Sequence, residues 1–96
     1  MTGEQILAHV ASVFDVTVAE LRGRDRSRNL ILARQAAYVV LLERPIPASG
    51  GRRSHAQVGK LLGRRVWVVQ NGIKAAQHHA RAEPAYAQAI ANLIAM

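Results

Sequence analysis

The stretch Ser54-His-Ala-Gln-Val-Gly-Lys-Leu-Leu-Gly-Arg-Arg-Val-Trp-Val-Val-Gln-Asn-Gly72 decides the fold of this chain. Ser54 and Gln57 have the spacing of a capping box, which predicts the start of a helix. Gly63 ends that helix after two turns, because glycine adopts a positive φ at little steric cost. The apolar residues beyond it recur on one stripe, which predicts a longer helix over about residues 65–81. Two helices joined by a tight glycine turn are therefore expected.

Helix-start signals of the same kind lie near the beginning of the chain. Thr2 is followed three residues later by Gln5, and Thr17 is followed three residues later by Glu20. Both pairs match the capping box, in which each residue satisfies a backbone N–H near the helix start. A first helix over about residues 2–14 and a short second helix directly after Thr17 are therefore predicted.

The middle and the end of the chain are also predicted to be helical. Residues 30–43 carry apolar side chains around much of a helical circumference, which favours a central, buried helix. Residues 38–42 are also β-prone, so a strand there is the alternative. Pro84 suits the first turn of a last helix. The whole chain, residues 1–96, is predicted to be one all-α domain of about six helices.

Composition limits the classes of function. The chain has 96 residues, of which 50% are hydrophobic, and its net charge is +7, so a polyanion is the first partner to consider. It contains no cysteine, which excludes a disulfide scaffold and thiolate metal sites. No apolar run approaches the ~20 residues that cross a bilayer. We expect a cytoplasmic protein without a membrane partner.

Nothing in the sequence indicates catalysis. His78 and His79 are adjacent, so a helix directs them about 100° apart and the pair does not converge on one metal ion. Gly59-Lys60 is followed by Leu61 rather than by Ser or Thr, as a phosphate-binding loop would require. The six carboxylates are scattered. We therefore expect no enzyme, cofactor, metal ion or bound nucleotide.

A helix, a tight turn and a second helix form the unit that places its second helix in the DNA major groove. On a helical wheel Arg64, Trp67, Asn71 and Lys74 share one face, opposite the apolar stripe. Arginine can bridge guanine, asparagine can bridge adenine, and lysine can hold phosphate. This face predicts binding to double-stranded DNA, although the same pattern also describes an ordinary solvated face.

The segment Arg22-Gly-Arg-Asp-Arg-Ser-Arg28, here named the basic loop, is a second candidate contact. Its four arginines occupy alternate positions, and Asp25 is the only carboxylate within the segment. The segment is too charged for a core, so we expect a solvated connection. A phosphate or a DNA minor groove would neutralise these charges.

Several of these segments together resemble one known family. Val18-Ala-Glu-Leu21, Arg26-Ser-Arg28, Ala33-Arg-Gln35, Gln57-Val-Gly59 and Leu62-Gly-Arg64 look like motifs of the C-terminal DNA-binding domain of the bacterial chromosomal replication initiator, DnaA. The similarity extends over nearly the whole chain and includes the closing segment from Tyr86 to Ile94. It implies a TrpR/DnaA-like helix-turn-helix bundle that acts in replication-initiation control or transcription regulation, associated with the nucleoid.

The resemblance also implies roles for individual residues. Arg26 matches the arginine that enters the minor groove, Arg34 and Gln35 match residues near the DNA backbone, and Ser54 and His55 match a phosphate-facing helix start. The full predicted DNA-contacting set is Arg26, Arg28, Arg34, Gln35, Ser54, His55, Arg64, Arg65, Trp67, Val68, Asn71 and Lys74.

The family's most specific motif is altered here. It reads Gly-Gly-Arg-Asp-His-Thr-Thr-Val, whereas this chain has Gly63-Arg-Arg-Val-Trp-Val-Val69. Beyond one glycine, only the arginine and the last valine survive, so we expect a preferred DNA site that differs from the initiator box. The alternative is a protein-interaction module in which Val66, Trp67 and Val68 form a docking patch for a protein partner.

Overall fold

The computed structural model describes all 96 residues and contains six α-helices and no strand. The prediction of an all-α bundle with six helices is confirmed. Residues 38–42 continue the third helix, and the one β-type pairing is an isolated bridge between Pro45 and Arg52 in a loop. The helices are α1 (Gly3–Phe14), α2 (Val18–Arg22), α3 (Arg28–Glu43), α4 (His55–Leu62), α5 (Val66–Ala82) and α6 (Pro84–Ala95).

Local side-chain caps define where three of these helices begin. The hydroxyls of Thr2, Thr17 and Ser54 each accept a hydrogen bond from the N–H three residues later, at 3.2, 3.0 and 3.1 Å. In each case the third residue's side chain accepts from the N–H of the capping residue in return. All three predicted capping boxes are confirmed. They satisfy N–H groups that a helix start leaves without partners.

The central helix α3 organises the core, as its apolar pattern predicted. Ala37 and Leu41 of α3 are fully buried, as are Leu7 and Val10 of α1 and Val69 of α5. The α3 helix contacts all five other helices, so it fixes the position of the α4–α5 unit within the bundle. None of the six helices has both the length and the hydrophobicity needed to cross a membrane.

Two glycines allow the close contacts around α5. A Cβ on Gly59 would lie 2.4 Å from the carbonyl oxygen of Arg64, and one on Gly72 would lie 2.5 Å from ring atoms of Tyr38. Real side chains do not approach so closely. Gly63 ends α4 at φ 66°, as predicted, and the N–H of Arg64 donates to the carbonyl of Gly59 at 2.8 Å. The turn between α4 and α5 therefore depends on Gly59 and Gly63, and the close contact between α5 and α3 depends on Gly72.

Candidate nucleic-acid interface

A depression of about 590 Å³ lies between the basic loop, α3 and the first half of α5. It brings residues of the basic loop and α3, which follow each other in the sequence, together with residues of the distant α5. Arg24 of the basic loop also lines it, as do Tyr38 and Ala75, which sequence reasoning did not single out. Seven members of the predicted DNA-contacting set line this depression, namely Arg26, Arg34, Gln35, Arg64, Trp67, Val68 and Asn71.

The other five members of the predicted set lie outside the depression. Arg28, Arg65 and Lys74 are exposed and have no hydrogen-bond or ionic partner within the chain. Ser54 is exposed, and its hydroxyl accepts from the N–H of Gln57 as the cap of α4. His55 is the first residue of α4 and is half-buried. These residues keep surfaces that a ligand can reach.

Arg64 does not lie on the exposed face of α5, so its helical-wheel placement was wrong. The helix begins at Val66, and Arg64 belongs to the turn before it. Its guanidinium donates to the carbonyls of Leu62 at 2.9 Å and Arg22 at 3.3 Å, and also to that of Gly23. Because these donors already have partners, Arg64 is poorly placed to bridge a guanine.

Arg34 is also used within the chain, which corrects the expectation that it faces the DNA backbone. It is only 7% exposed. Its guanidinium donates to the carbonyls of Leu21 at 3.0 Å and Glu20 at 2.8 Å, and to that of Asp25. A buried guanidinium requires such partners, since an unpaired buried charge is costly. Arg34 therefore holds two carbonyls of α2 and the Asp25 carbonyl of the basic loop in position.

These two arginines change the description of the basic loop. It is exposed, as predicted, but it is also anchored. The loop carbonyls of Arg22, Gly23 and Asp25 accept hydrogen bonds from Arg34 or Arg64, as do two carbonyls near the end of α2, those of Glu20 and Leu21. Arg24 and Arg26 have no partner within the chain and remain available at the edge of the depression.

The electrostatics of the depression follow from this concentration of guanidinium groups. Burial lowers the pKa of Arg34, and the nearby positive charge of Arg64 lowers it further. Burial raises the pKa of the Tyr38 hydroxyl, although Arg64 and Arg34 act in the opposite direction. Asp25 is the carboxylate that partly offsets the charge on Arg34. The surroundings therefore favour an anionic ligand.

Three further arginines, Arg22, Arg44 and Arg53, also form hydrogen bonds within the chain. Arg22 forms an ion pair with Glu4 and donates to the carbonyl of Leu61 at 2.9 Å. Arg44 donates to Leu93 at 3.0 Å, near the end of α6, and the buried Arg53 donates to the carbonyl of Arg44 at 3.2 Å. Sequence reasoning missed these structural roles, because the acceptors are main-chain carbonyls and, for Arg22, a carboxylate 18 residues away.

The start of α5 presents an apolar patch beside the depression. Trp67 is 60% exposed and Val66 is 41% exposed, whereas Val68 is half-buried. Trp67 is therefore not a core residue. The same helix end has no capping side chain and no acidic residue in its first turn. Its first N–H groups thus carry the partial positive charge of a helix N-terminus without an acidic neighbour.

No protein-family model matches the chain, and no curated protein is detectably similar to it. The resemblance to the DnaA DNA-binding domain therefore stays a prediction that rests on the short motifs quoted above.

Proposed function

We propose that this protein binds double-stranded DNA through the basic loop and the exposed face of α5. One observation carries the proposal: the unpartnered Arg24 and Arg26 and the exposed side chains of Trp67 and Asn71 line the same depression. The chain's net charge of +7 agrees with a polyanionic partner. The proposed activity is binding alone, without catalysis or a cofactor.

In this proposal α5 enters the major groove and the basic loop reaches the adjacent backbone or minor groove. Asn71 is exposed and can form a bidentate pair with adenine, and Lys74, one helical turn later, can hold a phosphate. Arg26 takes the minor-groove position that the resemblance implies. Arg28 and Arg65 are exposed and free to neutralise backbone phosphates.

The biological setting that we propose follows the resemblance to the DnaA domain. A DNA-binding domain of this kind would act at the nucleoid, in replication-initiation control or transcription regulation. The altered stretch from Gly63 to Val69 supports a preferred site other than the initiator box, because Val66, Trp67 and Val68 replace polar base-reading groups. The anchoring of Arg64 leaves Asn71 as the base-reading candidate with free donors.

A second candidate function is supported by the exposure of Val66 and Trp67. An exposed tryptophan beside a valine at a helix end is typical of a protein docking patch. Salt dependence separates the two candidates. Neutralising several phosphates makes DNA affinity fall steeply with salt, whereas apolar docking is nearly insensitive to it.

The direct test is selection of bound sequences from random duplex DNA, followed by salt titration of the recovered site. The proposal expects an enriched site and a steep salt dependence. Competition by unrelated duplex DNA distinguishes site-specific binding from general coating. Failure to retain any duplex at low salt would overturn the proposal, and retention of a protein partner through Trp67 would support the second candidate.

A further inference from the structure

We infer that the depression holds one unpaired nucleotide of a bound DNA strand, with its base stacked on Trp67 and its phosphate at Arg24 and Arg26. The inference rests on the proposed function and specifies which feature of the DNA this surface selects. An extrahelical base in an otherwise paired duplex is the simplest DNA with that feature.

The shape of the surface is the first argument. Side chains that read a groove protrude towards the base edges. Here α5 is instead indented beside Trp67, because Ala75 carries only a methyl group at the lining and Gly72 lets the Tyr38 ring pack directly against the helix. The resulting volume of about 590 Å³ falls within the range of small-molecule sites. Paired bases cannot enter a depression, whereas a base outside the stack can.

The chemistry of the walls is the second argument. Trp67 is 60% exposed and offers a flat π-face, and base stacking on such a face tolerates every base. Gln35 and Asn71 add amide groups that both donate and accept, as the edge of an unpaired base requires. The aromatic face and the amides thus match a base rather than an alkyl side chain.

The distribution of charge is the third argument. Arg24 and Arg26 have no partner within the chain, and both line the depression that contains Trp67. One oxygen of the Asp25 carboxylate accepts from the N–H of Ser27 at 2.8 Å. A phosphodiester would supply the negative charge that the two free guanidinium groups lack. An acidic peptide would satisfy the charge but not the stacking face.

The chain contains one tryptophan, so its fluorescence reports on this site without any label. Three duplexes of the same sequence are compared: one fully paired, one with a single extrahelical nucleotide, and one with an abasic unit in its place. The protein should bind the duplex with the extrahelical nucleotide about tenfold tighter than it binds the other two duplexes. It should also quench Trp67 more strongly than they do.

Fluorescence anisotropy of labelled DNA measures the affinity of variants and tests which residues produce the preference for the extrahelical nucleotide. Trp67→Ala should abolish the preference and also weaken binding to all three duplexes, because Trp67 belongs to the proposed DNA-binding surface. Ala75→Leu, which adds bulk at the lining of the depression, should abolish the preference while paired-duplex binding persists. Trp67→Phe should retain most of the preference, because it keeps an aromatic face. Gln70→Ala is the control, since Gln70 is exposed on α5 but does not line the depression. Circular dichroism confirms that each variant is folded.

The outcomes separate this inference from the proposed function. Equal affinity for the abasic and the extrahelical duplex would overturn the inference and leave the proposed function standing. Binding to none of the three duplexes would overturn both. Quenching by a polyglutamate peptide, without any preference for the extrahelical base, would assign the depression to an acidic protein partner and also overturn the inference.

Discussion

Arg34 of α3 and Arg64 of the turn before α5 hold one continuous stretch of main chain, which runs from Glu20 in α2 to Asp25 in the basic loop. Arg34 donates to the carbonyls of Glu20, Leu21 and Asp25, and Arg64 donates to those of the two residues that follow Leu21, Arg22 and Gly23. The basic loop is thereby joined to α3 and to the turn that leads into α5. Its free arginines are presented on an ordered backbone, which reduces the entropy lost when a ligand binds.

The anchoring role predicts different behaviour for two adjacent arginines. Arg64→Ala should lower the free energy of unfolding by roughly 1–3 kcal/mol, because several carbonyls lose a charged donor. Arg65→Ala is the matched control and should stay within about 0.5 kcal/mol, since Arg65 is exposed and has no partner. Urea denaturation measures both. Equal stability of the two variants would show that the Arg64 contacts contribute nothing.

Arg26 should contribute to DNA affinity through its charge at the depression. Arg26→Ala should weaken binding to every duplex and lower the slope of log K against log salt by about one unit. Arg81→Ala removes the same charge at the far end of α5 and serves as the control. The prediction fails if the two variants lower the slope equally, because the effect would then be one of net charge alone.

The exposed face of α5 predicts a division between base reading and phosphate binding. Asn71→Ala should relax the preference at one or two base positions, with a loss of ~1–3 kcal/mol of discrimination. Lys74→Ala should weaken binding to all DNA sequences alike and reduce the slope of log K against log salt. Affinities for a panel of single-base variants of the selected site provide the measurement. An unchanged preference in Asn71→Ala would place base reading elsewhere.

Gly63 should be required for its backbone conformation alone. Its φ is 66°, and an added Cβ would have no atom within 4 Å, so no steric clash contributes. Gly63→Val should therefore cost about 1 kcal/mol or more, whereas Gly63→Asn should cost less, because asparagine tolerates the left-handed region. Thermal melting compares the two. Equal melting temperatures would contradict this account of the turn.

Two buried tyrosines predict a loss of stability at high pH. Burial raises the pKa of both Tyr38 and Tyr86, and the Tyr86 hydroxyl donates to the carbonyl of Leu32 at 2.8 Å. In the unfolded chain tyrosine ionises near its usual pKa of about 10. The unfolded state therefore releases its protons first, so stability is full below that pH and declines above it.

Urea denaturation between pH 8 and pH 11 measures this decline. Tyr86→Phe should be less stable at pH 8, because the hydroxyl's hydrogen bond is lost, but its stability should fall less steeply above pH 10. A decline of the same steepness in Tyr86→Phe would show that Tyr86 does not contribute to the pH dependence.

The sequence by itself determined the helices of this protein. The pairs Thr2 with Gln5, Thr17 with Glu20 and Ser54 with Gln57 all formed the predicted caps. These contacts join residues three positions apart, so their geometry follows from the helix itself and needs no knowledge of the rest of the fold. The left-handed turn at Gly63 and the central helix were likewise predicted from local features, a glycine and the spacing of apolar residues.

The tertiary structure alone decided which arginines are free. In the sequence Arg34 and Arg64 look like Arg26 and Arg65, yet the first two are bound to carbonyls up to 42 residues away and the last two have no partner. Every residue carries a carbonyl group, so the sequence does not mark which ones will accept a guanidinium. That choice depends on how the helices pack, because only packing brings a particular carbonyl within reach of a particular arginine.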